Sequence, residues 1–365
     1  MVPCGFPSTN MSPSALLRSL SSRIAGKFSS PVAPWPVQSE FGRWLSDELD
    51  SLLQHPRGQF LGTAWLLDAM DVNLAAQKKS HELLARFKDG DATKTDSSFS
   101  SGSLEAIRSH LQDTIAMLDV CNDLRERLGV VSEYAHSLRI ALHWLEGASG
   151  PSPAALARAS AELERCLTIE RRCSELSSCC STLRRLGEKL VQDSTPSARD
   201  SKAGFPAGTR EPELHEALCA SKSMALLTCG ALAIALSFKS RRGLPHMPDA
   251  RAKPWCDALQ ELHRGIKSEI EGRRKKSGAA VMNELGEASG ACRRLQEAIS
   301  RQLDGRPRPQ KGTGEEVEMR SVVETLEGLC EEMEMGVEFF AHRVDELYRL
   351  IISVRVCALD ILPLA

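Results

Sequence analysis

Residues 319–358 read MRSVVETLEGLCEEMEMGVEFFAHRVDELYRLIISVRVCA. Within them Met319, Val323, Leu326, Cys330, Met333, Val337, Phe340, Val344, Leu347, Ile351, Val354 and Ala358 follow one another in alternating steps of four and three. That spacing draws one unbroken apolar stripe along an α-helix through five heptads. At about 1.5 Å per residue, forty residues make a rod of roughly 60 Å. A stripe of this length must be covered by other helices. Leu326, Met333, Val337, Phe340, Val344, Leu347 and Ile351 are therefore candidates either for an interaction surface or for a core seam.

A second seam passes through Cys166, Ile169, Cys173, Leu176, Cys180, Leu183 and Leu190, with an interruption at Gly187. Its three cysteines recur at seven-residue intervals, which suits core positions better than ligands. Proline punctuates the rest of the chain at 56, 151, 153, 196, 206, 212, 245, 248, 254, 307, 309 and 363. Between those points apolar residues recur at helical spacing, and no run alternates as a strand does. The pattern predicts helices over 38–54, 59–88, 103–128, 130–147, 153–192, 211–239, 254–275, 278–303 and 314–360. Gly129 and Gly147 are read as helix ends. The fold expected is all-α: one elongated helical bundle with long antiparallel, coiled-coil-like helices over residues 38–360. The Ser-, Gly- and Asp-rich stretches near 88–102 and 193–210 are expected to be mobile loops.

Residues 1–37 differ from the remainder. They hold no acidic residue, eight serines, six prolines and three basic residues, Arg18, Arg23 and Lys27. Leu16, Leu17, Leu20, Ile24 and Phe28 could share one apolar helical face there. The segment reads as a disordered tail or as a targeting element, either a plastid transit peptide or a weak membrane-surface helix.

Forty-six basic against 48 acidic side chains, without interleaved aromatics, argue against a nucleic-acid partner. The neutrality conceals polarity, because 239–276 holds eleven basic and five acidic residues while 315–334 holds eight acidic residues and one arginine. Those two segments could pair with one another, face anionic lipid or face water. Twelve cysteines form no C-x-x-C pair and read as reduced core residues. The chain carries no phosphate-cradling glycine loop, no H-E-x-x-H and no G-x-S-x-G. His136 and His143 share a helical face and are expected to be buried or interfacial. Neither catalytic nor metal-ligating nor cofactor-binding residues are assigned, so the expectation is a non-enzymatic protein.

Between Lys222 and Lys239 sixteen uncharged residues read SMALLTCGALAIALSF. A membrane span needs about twenty apolar residues. The run falls short of that, and its lack of a polar face fits a central bundle helix or a lipid-contacting one. Leu226, Leu227, Leu232, Ile234, Leu236 and Phe238, with Arg241 and Arg242 at the exit, are the candidate membrane-contacting residues.

Certain short blocks are more specific. Phe60-Leu61-Gly62-Thr63-Ala64-Trp65-Leu66 opens one helix, and Leu118-Asp119-Val120-Cys121-Asn122 lies in the next. Ala235-Leu236-Ser237-Phe238 ends the apolar segment, and Pro254-Trp255 starts a helix that ends in basic residues. In this order, across roughly residues 40–356, the chain resembles the plant BYPASS family and its exocyst-subunit-interacting relatives. The resemblance implies a helical, non-enzymatic protein of root and shoot development that works through protein partners, an exocyst subunit among them. It also implies a part either in exocyst-linked secretion or in restraining a mobile small-molecule growth signal. The compartment implied is cytoplasmic at endomembrane or plasma membrane, with chloroplast as the alternative.

Overall fold

The chain divides into two units, Met1–Gln38 and Ser39–Ala365. The computed structural model describes residues 39–56, 58–91, 100–146, 151–176, 178–194, 211–238, 243–247, 253–277, 282–303 and 312–362. The expected N-terminal targeting segment, most of both expected loops, and Arg241 and Arg242 lie outside the described residues. Everything described belongs to the second unit.

Among the described residues there are nine helices and no strand. They are α1 (Glu40–Leu53), α2 (Thr63–Asp91), α3 (Ser101–His143), α4 (Pro153–Glu175) and α5 (Ser178–Ser194), followed by α6 (Glu211–Ala235), α7 (Pro254–Ser277), α8 (Asn283–Leu303) and α9 (Gly312–Ile361). Serines start three of them. The hydroxyls of Ser39, Ser100 and Ser152 each accept a bond from the backbone N–H three residues on, supplying a partner to a helix donor that otherwise lacks one. Pro153 occupies the first turn of α4, where its missing N–H costs nothing.

The seam of α9 turns inward over most of its length: Leu326, Met333, Phe340, Val344, Leu347 and Ile351 are buried and Val337 is half-buried. It packs against α2, α3 and α8. Arg125–Asp345 and Arg139–Glu334 pair rising numbers on α3 with falling ones on α9, so these two helices are antiparallel. Lys78–Glu346 and Lys88–Asp360 rise together, so α2 runs parallel to α9. Such exposed pairs each contribute about 0–1 kcal/mol. A fully buried leucine contributes about 1.5–3 kcal/mol, so the seam holds α9 in place and the charges fix its register.

Helix α6 occupies the centre, touching α1, α2, α3, α5 and α7. It is long and apolar enough to cross a membrane, yet 94% of that apolar window is buried within the bundle. Leu226, Leu227, Leu232, Ile234, Leu236 and Phe238 are all in the core.

Two expected boundaries differ from the observed ones. The expected helix end at Gly129 does not occur, because α3 continues through it. A Cβ at Gly129 would meet nothing within 4 Å. With Leu128, Val130 and Val131 buried on either side of it, the packed faces carry the helix past a weak residue. Conversely, the expected single helix over 153–192 breaks at Leu176, whose ψ of 102° is extended. Gly187, read as a flaw in the second seam, is a close approach instead. A Cβ there would stand 2.6 Å from the carbonyl oxygen of His246. One at Gly230 would stand 2.8 Å from Pro245 Cδ, so the segment 243–247 crosses α5 and α6 over two residues without side chains.

Candidate functional site

Charged and polar side chains occur both inside the bundle and on its surface, and the two sets do different things. Inside, the buried charges Asp113, Arg127, Glu170 and Lys222 are all committed, while Asn73, His110, Tyr134 and Ser137 hold buried polar atoms without a hydrogen-bond partner among the described residues. Asp113 of α3 is buried and takes both Lys222 of α6 and Lys189 of α5, the latter at 2.9 Å. His110, one turn earlier on α3, has its ring nitrogens shut off from solvent. Desolvation, helped by the charge of Lys222 and opposed by Asp113, lowers its pKa to about 4. Glu170 of α4 accepts from Ser289 Oγ at 2.7 Å and from Arg293 at 2.5 Å, both on α8. Arg127 lies between α3, the end of α4 and the end of α6, donating to Ser237 Oγ and to the carbonyl of Leu176.

The residues of the quoted motifs are joints of the same kind. Glu269 of α7 accepts from the backbone N–H groups of Phe60 and Leu61, at 3.0 and 3.4 Å. Trp65 Nε1 donates to Leu52 O at 3.2 Å, and the rings of Phe60 and Trp65 meet edge to face. Trp255 Nε1 donates to Glu216 at 2.9 Å, which fastens the start of α7 to α6. Val120 and Cys121 are buried on α3. These motifs specify packing, and no reactive group is presented by any of them.

The described cysteines are thiols, with no disulfide among them. Burial raises Cys121 and Cys330 to about 12, which keeps them protonated and unreactive. Among the described residues no group of histidine, cysteine and carboxylate side chains is placed to hold a metal ion.

The surface offers a groove between the C-terminal end of α3 and the N-terminal half of α9, with a volume of about 640 Å³. Ile140, Leu142, Trp144 and Cys330 provide its apolar lining; His136, Arg139, His143 and Glu146 line the α3 side, and Glu327 and Glu331 the α9 side. His136 and His143 are exposed, which removes the buried one of their two expected placements, because the face they share points away from the α3 core. His143 Nδ1 lies 3.2 Å from Glu146, and the Arg158 guanidinium sits 4.5 Å from the centre of the Trp144 ring. Arg139 grips Glu334 through two bonds, at 2.9 and 2.5 Å, and so closes one end of the groove. The expected candidates on the α9 seam lie behind it, in the core. Sequence periodicity could not find the groove, since Trp144 ends α3 only in the folded helix and belongs to no repeat. Charge patterning did mark one wall, the acidic stretch 315–334.

The arrangement thus defines an all-helical bundle whose polar interior is structural and whose surface carries a mixed polar and aromatic groove. Residues 205–362, from α6 to α9, match the family model described as "Protein ROH1-like". Over 321 residues the chain is 21% identical to "Protein BPS1, chloroplastic" of Arabidopsis thaliana, covering 88% of this chain and 82% of that protein. It is 28% and 27% identical over 189 residues to the "UPF0496 protein 4" of japonica and indica rice, covering 51% of this chain. The match spans 39% of the length of each of those rice relatives. No solved structure matches. Together these similarities support a BYPASS-type family assignment for this helical chain.

Proposed function

We propose that this protein is a plastid-acting, non-catalytic regulator of plant growth that works through protein contacts made at the α3–α9 groove. In this reading it restrains production of a mobile small-molecule growth signal by holding a partner rather than by transforming a substrate. The groove carries the proposal. It gathers Trp144, Arg139, His143 and three carboxylates on one accessible surface, whereas the interior charges are tied into helix-to-helix joints. Tryptophan and arginine are the side chains that most often dominate protein interfaces. The plastid part rests on the relative named chloroplastic, which aligns with 88% of the chain, and on the acid-free, serine-rich residues 1–37.

Import of the radiolabelled full chain into isolated chloroplasts tests the compartment. Protease-protected, N-terminally shortened product is expected. Exclusion from plastids, with the intact chain at endomembranes and an exocyst subunit among its cross-linked neighbours, would replace this reading with the secretion one. Complementation of plants lacking the protein tests the groove. A Trp144→Ala/Arg139→Glu chain that accumulates normally is expected to fail to restore growth, and full restoration would remove the groove from the proposal.

A further inference from the structure

The groove has an unbalanced charge. Glu334 is taken up by Arg139, but neither Glu327 nor Glu331 has an ion-pair partner among the described residues. Both are exposed on the first half of α9, beside the equally exposed Glu324, Glu332 and Glu338. The chain's own basic run, at the end of α7, does not supply the counter-charge: α7 packs on α1 and α6, while α9 packs on α2, α3 and α8. Opposite the carboxylates is Trp144, half-buried and already stacked by one guanidinium, next to the apolar Ile140. A cation entering the groove would find carboxylates on one side and an aromatic face on the other. An apolar side chain beside it would find the lining of Ile140 and Trp144.

We propose that the groove docks a basic, amphipathic segment of a partner protein, its lysine or arginine side chains on Glu327 and Glu331 and its apolar side against Trp144. The proposal rests on the protein-contact reading above and names the chemistry of the partner. Charge complementarity selects this occupant, since an acidic segment would add like charge to two unneutralised carboxylates. It also gives the encounter a salt-sensitive rate.

Fluorescence anisotropy with the full-length protein tests it. The probe is a fluorescein-labelled amphipathic lysine–leucine peptide, with its glutamate–leucine counterpart for comparison. The Glu327→Lys/Glu331→Lys variant is expected to weaken the lysine peptide about tenfold or more. Trp144→Ala is expected to weaken it by about fivefold in protein that still melts in one cooperative step. A charge-matched reversal elsewhere on the surface, Glu126→Lys/Glu164→Lys, is expected to change it less than about twofold. No affinity for the lysine peptide, equal losses in the two double reversals, or binding of the glutamate peptide would each overturn the proposal. So would a dimer in light scattering that the Glu327→Lys/Glu331→Lys variant abolishes, because the occupant would then be a second copy of the chain. These measurements do not depend on the compartment. Failed chloroplast import would sink the plastid reading and leave the peptide result standing.

Discussion

Arg127 Nη1 donates to Ser237 Oγ at 2.7 Å, deep in the bundle, and its second terminal nitrogen donates to the carbonyl of Leu176. Arg127 is 1% exposed and has no carboxylate partner among the described residues. What surrounds it are the C-terminal ends of α4 and α6, where the aligned backbone carbonyls concentrate negative charge. Cys173 adds a parallel tie, donating from Sγ to Leu236 O at 3.2 Å. The guanidinium therefore gives the Leu176 carbonyl at the end of α4 its donor and ties it to Ser237, just past the end of α6.

Replacing Arg127 with methionine keeps much of the volume and leaves the Leu176 carbonyl without its donor. The expected cost is about 1–3 kcal/mol, read as a lowered urea midpoint. Arg127→Lys should recover only part of it, because one ammonium cannot reach both acceptors in the guanidinium's fixed geometry. An unchanged midpoint in Arg127→Met would show that the two helix ends do not depend on this joint.

The Asp113 site makes a sharper test of the interior. Asp113→Leu leaves Lys222 buried without its carboxylate, and removal of one member of a buried pair costs about 3–5 kcal/mol. The double variant Asp113→Leu/Lys222→Met removes both charges and should be more stable than Asp113→Leu alone. The coupling is read from a double-mutant cycle in urea. Simple additivity would mean that the two side chains do not meet in solution.

These joints also mark where sequence reasoning reached its limit. The seam of α9 and the all-helical class were legible because burial repeats with the period of the helix. The apolar run of α6 was legible only as a helix covered on all sides, with bundle and lipid both open as the cover. The partners of Arg127, Asp113 and Glu170 were not, since each joins residues between 49 and 123 positions apart, with no periodic signature. The motifs Phe60–Leu66 and Pro254-Trp255 were legible as unusual, but only the fold shows that Glu269 and Glu216 are what they hold. The groove was half visible: its acidic wall as a charge run, its aromatic side not at all.

Glycines of opposite consequence lie on neighbouring helices. Gly187→Ala would bring a Cβ 2.6 Å from the His246 carbonyl oxygen and 3.1 Å from its nitrogen, both backbone atoms. Relief requires moving α5 or the 243–247 segment, at an expected cost of about 1–3 kcal/mol. Gly129→Ala meets nothing within 4 Å in the middle of α3 and should gain about 0.5–1 kcal/mol. Calorimetric melting of the two variants beside the parent should therefore show shifts of opposite sign. Shifts of the same sign would contradict the placement of one of them.

His110 makes stability depend on pH in a stated direction. Its pKa falls from 6.5 to about 4 on folding, first through desolvation and then through Lys222, with Asp113 acting the other way. Between those two values the unfolded chain binds a proton at this position that the native protein refuses. Stability is therefore full above about 6.5 and is lost as pH falls toward about 4. Burial lowers His215 and His263 as well, so they contribute a slope of the same sign. His110→Leu removes the largest of these contributions without leaving a polar group unpaired. The urea midpoint of the variant should fall less steeply than that of the parent as pH is lowered through this window. Parallel pH profiles for the two proteins would show that the His110 ring is solvated and titrates as it does in the unfolded chain.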